Sequence, residues 1–162
     1  MSALGFVALT YHHGTWNVLT QKSLSRSNTR HIDEEEAHAV SWAIDELSEY
    51  ITTMKPDALI IAIDNLVVSR SLLRGVSGSP RADYHIQLSL DKLEKLCNLE
   101  KLSIADIASE DNVADIYSRK RDNTSADYNI RLQLSKKVAT RALTNLNKNI
   151  RWCPRELKNT NN

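Results

Sequence analysis

Residues 58–65 read Ala-Leu-Ile-Ile-Ala-Ile-Asp-Asn, and this stretch decides the fold class. Its apolar part is continuous and of strand length, which is typical of a strand covered by helices on both faces. Pro56, just before it, marks the end of a preceding helix. Asp64 follows the strand directly. It is therefore expected at the carboxyl end of a sheet, where open α/β sheets place their ligands.

On either side of this strand the hydrophobic pattern alternates between helices and strands. Upstream, residues 33–53 carry apolar side chains at three- and four-residue spacing, which predicts an amphipathic helix. Apolar runs at residues 5–9 and 15–20, separated by a turn at Gly14, predict an antiparallel hairpin. Residues 22–30 predict a loop or a third strand. Downstream, the pattern predicts helices at residues 65–74, 84–99, 112–119 and 127–148, and a strand at residues 101–107.

This order predicts an α/β fold with one mixed sheet, an antiparallel hairpin followed by parallel strands, and helices on both faces. Charge divides the chain. Residues 119–162 hold 11 Lys/Arg against 3 Asp/Glu, a net charge of +8, whereas residues 1–118 hold 10 against 17, a net charge of −7. We predict an α/β domain over the first range and a basic C-terminal extension with one helix over the second. Such an extension binds nucleic-acid phosphates or is a solvated helix face, and both interpretations stay open.

Composition excludes several classes of protein. No apolar run approaches the ~18 residues that a membrane span needs, and the N-terminus lacks the pattern of a signal peptide. Cys97 and Cys153 are far apart and lack metal-ligand spacing, so we expect reduced thiols. These features predict an intracellular protein, in the cytoplasm or nucleus, without a membrane partner.

Two histidines and three tryptophans lie outside these patterns, and we expect structural and not functional roles for them. We expect His12 and His13 to be exposed in the hairpin turn. We expect the three tryptophans to be core or packing residues and not base-stacking platforms: Trp16, Trp42 and Trp152.

Three carboxylates from distant parts of the chain fall where helices begin or strands end. Glu36 lies in the first turn of the long helix, Asp64 follows the central strand, and Asp115 begins a helix after the last strand. Mg²⁺ ions take oxygen ligands. Two such ions about 3.5–4 Å apart activate a water and stabilise a leaving oxygen. Three converging acids would suit that chemistry.

Each acid also has a purely structural interpretation. Asp33 as N-cap, with Glu36 three residues later, has the spacing of a capping box. Residues 64–65 can cap the next helix, and residues 112–115 repeat the cap spacing. Considered one at a time, the acids do not decide between capping and catalysis.

Four segments resemble the ribonuclease H (RNase H) domain of reverse-transcribing elements. Residues 111–119, Asp-Asn-Val-Ala-Asp-Ile-Tyr-Ser-Arg, resemble the end of that domain, where Asn, a small residue and Asp precede Ser-Arg. Residues 31–39, His-Ile-Asp-Glu-Glu-Glu-Ala-His-Ala, resemble the segment in which His-Ile leads to a helix-borne Glu. Residues 62–68 resemble the strand that ends in Asp-Asn, and residues 5–9 resemble the second half of the first hairpin. The resemblance covers residues 5–119 in the same order and spacing.

The resemblance implies an RNase H-like fold and a set of functional residues. It implies cleavage of the RNA strand of an RNA–DNA hybrid with two Mg²⁺ (or Mn²⁺) ions. A reverse transcriptase polymerase domain of the same polyprotein would be a partner. The acids that would be both catalytic residues and metal ligands are Glu36, Asp64 and Asp115. The residues that would hold the hybrid backbone are Arg119, Lys120 and Arg121.

The chain departs from the family pattern at its N-terminus. The family begins with a strand that carries an Asp several residues before the Gly matched by Gly5, and this Asp bridges both metals. Here the first acid is Asp33. The resemblance therefore predicts an N-terminally truncated domain, of the LTR or tyrosine-recombinase retrotransposon or pararetrovirus type, with little or no turnover as given. Two alternatives stay open: a non-catalytic RNase H-like nucleic-acid-binding or scaffold module, and an unrelated α/β protein whose acids are caps.

Overall fold

The computed structural model describes residues 2–26, 31–119 and 125–147. The strands in these ranges are β1 (Ser2–His12), β2 (Thr15–Arg26), β3 (Leu59–Ile63) and β4 (Leu102–Asp106). The helices are α1 (Ile32–Met54), α2 (Leu66–Arg74), α3 (Pro80–Leu96), α4 (Asp115–Arg119) and α5 (Ser125–Asn147). Short 3₁₀ turns lie at Leu99–Lys101 and Ser109–Asp111. Within these ranges no helix is long and apolar enough to cross a bilayer.

The four described strands form two separate two-stranded sheets, not the single mixed sheet that the sequence predicted. β1 and β2 pair antiparallel, with Gly5 opposite Ser23. β3 and β4 pair parallel, with Ile61 opposite Ile104. The α/β class is confirmed, whereas the prediction of one continuous sheet is wrong for the described residues. Hydrophobic runs identify strands, but pairing depends on backbone hydrogen bonds between strand edges, which the runs do not encode.

Apolar side chains of α1, α2 and α3 cover one face of the β3–β4 sheet. Ile61 and Ile63 of β3 and Ile104 of β4 lie on that face, because alternate residues of a strand point to the same side. The buried residues that they meet are Ala37, Val68, Leu72, Ala82, Ile86 and Leu90. A second cluster, around Ile44, Leu93 and Leu102, extends this core.

The buried side of α1 agrees with the predicted stripe only in part. Ile44 and Ile51 are buried as predicted, whereas Tyr50 is 45% exposed. Ala37 and Ser41 fill the other buried positions, and Ser89 of the neighbouring helix α3 is completely buried. Small side chains at a helix contact let the two backbones approach closely. The buried face of α1 therefore includes positions that a search for large apolar residues passes over.

Helices also cover both faces of the β1–β2 hairpin. Phe6 packs edge-on against Trp42 of α1, with ring centroids 5.1 Å apart. Gly5, which alternates to the opposite face, lies against the backbone of α4. Its cross-strand partner Ser23 donates a hydrogen bond to the carbonyl of Tyr117 in α4 (2.6 Å). Trp42 is thus a packing residue, as predicted.

Helix α5 lies along the same face of the hairpin as α4. The Tyr128 hydroxyl donates to Gln21 Oε1 (3.1 Å), and the Trp16 indole N–H donates to Thr140 Oγ1 (3.0 Å). α5 also contacts β3 and β4. The predicted boundary between the α/β domain (residues 1–118) and its basic extension (residues 119–162) stays a prediction. The helix of that extension, α5, lies against the hairpin and the β3–β4 sheet.

Two segments predicted as irregular belong to regular elements. Residues 22–26 extend β2. α3 begins at Pro80, four residues earlier than predicted, because the Ser79 side chain accepts from the Ala82 N–H and proline suits the first helical turn. The end of α2 is as predicted, with Gly75 in the left-handed region at φ 79°.

The contact between Gly5 and α4 generates a test of stability. A Cβ added at Gly5 would lie 2.7 Å from the Ser118 nitrogen and 2.8 Å from the Tyr117 backbone. We expect Gly5→Ala to lower the free energy of unfolding by about 1–3 kcal/mol, since overpacking forces the backbone apart. The matched control is Gly78→Ala, where an added Cβ has no atom within 4 Å. Urea unfolding of both variants measures the difference, and equal stabilities would contradict the close approach.

Candidate functional site

Two of the three candidate acids are joined through one asparagine. Asn112 Nδ2 donates to Asp64 Oδ2 (3.2 Å), and the Asn112 carbonyl accepts the Asp115 N–H (3.1 Å). Asp64 follows β3, and Asn112 lies in the turn that leads into α4. The loop after β4 thus meets the carboxyl end of β3, the edge at which the sequence placed the site.

The first turn of α1 reaches this edge through two residues that the sequence singled out only as helix caps. Asn65 Nδ2 donates to Asp33 Oδ1 (3.0 Å), which ties α1 to the end of β3. Glu36 is half-buried in the same helix, whereas its neighbours Glu34 and Glu35 are buried. The glutamate matched by the resemblance is therefore not the most buried acid of its turn.

The predicted capping box at the start of α1 is wrong. The helix begins at Ile32, and its N-cap is His31, whose Nδ1 accepts from the Asp33 N–H (3.3 Å). Asp33 therefore lies inside the helix, and its carboxylate is hydrogen-bonded to Asn65. The predicted cap on α2 is present, since Asn65 Oδ1 accepts from the Val68 N–H (3.1 Å). Asn65 thus caps one helix and contacts the carboxylate of another.

Asp115 is 4% exposed, and its carboxylate belongs to an ion pair. Its Oδ2 lies 3.4 Å from Nη1 of Arg131, which is 8% exposed. The same Nη1 donates to the carbonyls of Ser109 (2.9 Å) and Asn112 (3.3 Å), and Nε donates to Asp127 Oδ1 (3.3 Å). The guanidinium is thus surrounded by oxygen atoms from two carboxylates and two carbonyls.

The two-metal site predicted from Glu36, Asp64 and Asp115 stays a prediction. Across the described ranges, no group of three or more His, Cys, Asp or Glu side chains could hold a metal ion. Asp115 is paired with Arg131, and Asp64 accepts a hydrogen bond from an amide. A two-metal site needs several carboxylates around ions about 4 Å apart. The structure therefore links Asp64 to the Asp115 segment through hydrogen bonds of Asn112.

The predicted phosphate-binding residues fall at the edge of what the structure describes. Arg119 is the last residue of α4, and its side chain lies outside the described part, as do Lys120 and Arg121. Arg131 is the basic residue that the structure does place beside the acids. The sequence pattern missed it because a charged residue at a buried helix position has no periodic pattern of its own.

Comparisons with known proteins leave the family of this chain open. No protein-family model matches it, and neither a curated protein nor a solved structure does so.

Burial also decides the chemistry of two further side chains. Burial raises the pKa of the Cys97 thiol, so the thiolate that acts as a nucleophile is disfavoured. The pKa of Tyr117 is raised by burial and, to a smaller extent, by the neighbouring Tyr128. Both side chains are therefore expected to stay protonated at neutral pH, which argues against cysteine-based covalent catalysis at Cys97.

The ion pair between Asp115 and Arg131 generates a second test. Arg131→Met leaves a buried carboxylate without its cation, and we expect it to lower the free energy of unfolding by about 3–5 kcal/mol. Arg141→Met, at an exposed position of the same helix, is the control and should change stability by less than about 0.5 kcal/mol.

A double-mutant cycle completes this test. With Asp115→Asn already in place, Arg131→Met should cost clearly less, because no buried charge is left behind. Urea unfolding of the four proteins gives the coupling energy. Strictly additive effects of the two substitutions would contradict the pairing.

Proposed function

We propose that the chain is an RNase H-like domain of reverse-transcribing-element origin that binds RNA–DNA hybrids and, with its present residues, does not cleave them. The observation that carries this proposal is the burial of Asp115 against Arg131. Asp115 belongs to the segment that most specifically resembles the family. A metal ligand must face the ion and the substrate, whereas this carboxylate faces a guanidinium.

The arrangement of the elements supports the RNase H-like part of the proposal. A hairpin, a long helix, a strand, two helices, a strand and a short helix follow one another in the order that the resemblance requires. The turn of α1 that holds Asp33, the end of β3 at Asp64 and the loop at Asn112 are connected by hydrogen bonds. Segments that are remote in sequence therefore meet at one edge of a sheet.

A second candidate function is hybrid cleavage with two Mg²⁺ or Mn²⁺ ions, and one observation favours it. Among the described residues, β1 and β3 each pair with one strand only and belong to different sheets. A strand carrying the family's first Asp would form a hairpin with β1 on the edge opposite β2. With that Asp supplied, Glu36, Asp64 and Asp115 would be the remaining ligands, and Asp115 would have to leave Arg131.

The basic residues of the C-terminal extension are the expected contacts to the phosphates of the hybrid. The net charge of +8 over residues 119–162 is of the sign that binds phosphates. Arg119 ends the Asp115 segment, Lys120 and Arg121 follow it directly, and all three would hold the hybrid backbone. The setting would be intracellular, in the cytoplasm or nucleus, beside a reverse transcriptase polymerase domain of the same polyprotein.

Binding and cleavage of a labelled RNA–DNA hybrid test the proposal together. We expect binding that weakens steeply with salt, measured by fluorescence anisotropy, and no cleavage with Mg²⁺ or Mn²⁺ on a denaturing gel. Reversing the charge of Arg119, Lys120 and Arg121 together should reduce the slope of log K against log salt by about 2.7, since each phosphate contact contributes about 0.9.

The controls separate the possible outcomes. Charge reversal of Arg74, Lys95 and Lys101, which are exposed on other elements, should leave binding unchanged. Cleavage by the wild-type chain that is lost in Asp64→Asn would overturn the proposed lack of cleavage and would show that no further Asp is needed. A failure to bind the hybrid even at low salt would overturn both candidate functions.

A further inference from the structure

The tip of the β1–β2 hairpin presents a compact group of aromatic and imidazole rings. His13 (φ 50°) and Gly14 (φ 78°) both have positive φ, which gives the turn the tight form that suits a two-residue hairpin loop. Tyr11 is 47% exposed, and its ring centroid lies 4.8 Å from that of Trp16. The exposed His12 and His13 rings lie 4.0 Å apart. Trp16 is a packing residue, as predicted, and the other three rings are presented to solvent.

Helix α5 brings positive charge to this tip. The hydrogen bond from Trp16 to Thr140 fixes the tip against the helix. Lys136 and Lys137 lie one turn before Thr140, on the side of α5 that meets the tip, because residues three and four apart share a helix face. Arg141 follows Thr140, and both Lys137 and Arg141 are exposed. Rings and cations are therefore neighbours on one surface.

The parts of the two elements that lie near this surface contain no acids, since the one acid of α5, Asp127, lies in the first turn of that helix. Neither residues 2–26 nor residues 128–147 include an aspartate or glutamate, although the chain has 20 of them. The acids of the described chain lie elsewhere, including the first turn of α1, the turn at Ser109–Asp111 and the first turn of α5. The tip surface is thus positive on a protein whose body is negative, and polyanions are the ligands that such a surface attracts.

The surface is also well separated from the sheet edge at which Asp64 meets the Asp115 segment. Gly5, which contacts α4, lies seven residues before His12 along β1. At the rise of an extended strand this spans roughly 23 Å. A nucleic-acid strand with one phosphate per 3.4 Å would place about seven phosphates along that length. One bound strand can therefore reach both regions.

We propose that the hairpin tip and α5 form a binding platform for single-stranded nucleic acid. The platform consists of Tyr11, His12, His13, Lys136, Lys137 and Arg141. Bases stack on the rings, and the phosphates between them contact the cations. This combination binds single strands with little sequence preference. The inference rests on the proposed function, since it assigns the single-stranded flank of a hybrid to the platform.

Substitution of the tyrosine tests the stacking. The probe is a fluorescent oligothymidylate of about 15 nucleotides, near the upper site size of small single-strand binders. Tyr11→Ala should weaken its binding roughly 5- to 150-fold, the range expected when one stacked base is lost. Tyr50→Ala is the matched control, because Tyr50 on α1 is exposed to the same extent, 45% against 47%. Thermal unfolding of each variant shows that it is folded.

Charge reversal tests the phosphate contacts and does not depend on the stability of the Tyr11 variant. Lys137→Glu with Arg141→Glu should lower the salt dependence of oligothymidylate binding by about 1.4 in slope, at about 0.7 for each contact to a single strand. Lys95→Glu with Lys101→Glu, at exposed positions away from the tip, should not change it.

Hybrids with and without a single-stranded overhang separate the platform from the proposed function. The platform is supported if an overhang tightens binding for the wild type but not for Tyr11→Ala. If both hybrids bind equally and the tip variants match the wild type, the platform is overturned and the proposed function stands. If oligothymidylate binds through the tip but the blunt hybrid does not bind, the platform stands and the proposed function fails. An acidic peptide that binds the tip where oligothymidylate does not would also overturn the platform.

Discussion

The sheet edge at which Asp64 meets the Asp115 segment depends on one contact. This contact is the buried ion pair between Arg131 and Asp115. It joins α5 to the loop before α4, and Ser135, one turn further along α5, hydrogen-bonds the backbone of the same loop at Val113 and Asp111. Taking two charges out of water is costly, so such a pair persists only when further hydrogen bonds satisfy the guanidinium. Here two carbonyls and a second carboxylate do so. The pair therefore specifies one arrangement of helix and loop, and its net contribution to stability is smaller than the cost of breaking it.

This arrangement shows that the position of an acid at a sheet edge and the group that the acid meets are decided separately. Sequence order can place Asp64 and Asp115 at one sheet edge, because the carboxyl end of β3 and the loop after β4 adjoin in any parallel pair. It cannot show which cation meets each carboxylate. That choice is made by α5, whose register along the sheet is set by contacts as distant as the bond from Trp16 to Thr140. Local pattern and long-range packing thus decide different parts of the site.

Elements marked by a continuous apolar run or by a glycine at a helix end could be predicted from the sequence. Features that depend on an uncommon cap residue or on small buried side chains could not. The run at residues 58–63 identified β3, and Gly75 identified the end of α2. The N-cap of α1 was missed because histidine is not among the side chains favoured there. The buried face of the same helix was missed in part because Ala37 and Ser41 are too small to mark a hydrophobic stripe. The division into two sheets was beyond reach, since strand periodicity does not specify which edges pair.

That division has a consequence for how the molecule opens. In the described chain no backbone hydrogen bond of a sheet crosses from the hairpin to the parallel pair, so the two are held together by side chains of α1, α4 and α5. Cooperative unfolding units tend to follow such boundaries. The hairpin can loosen as a unit while β3 and β4 stay folded, which would give its backbone amides weaker protection from hydrogen exchange than those of the parallel strands. A chain built in this way would open in two cooperative units, and the surface at its hairpin tip would belong to the unit that contains the hairpin.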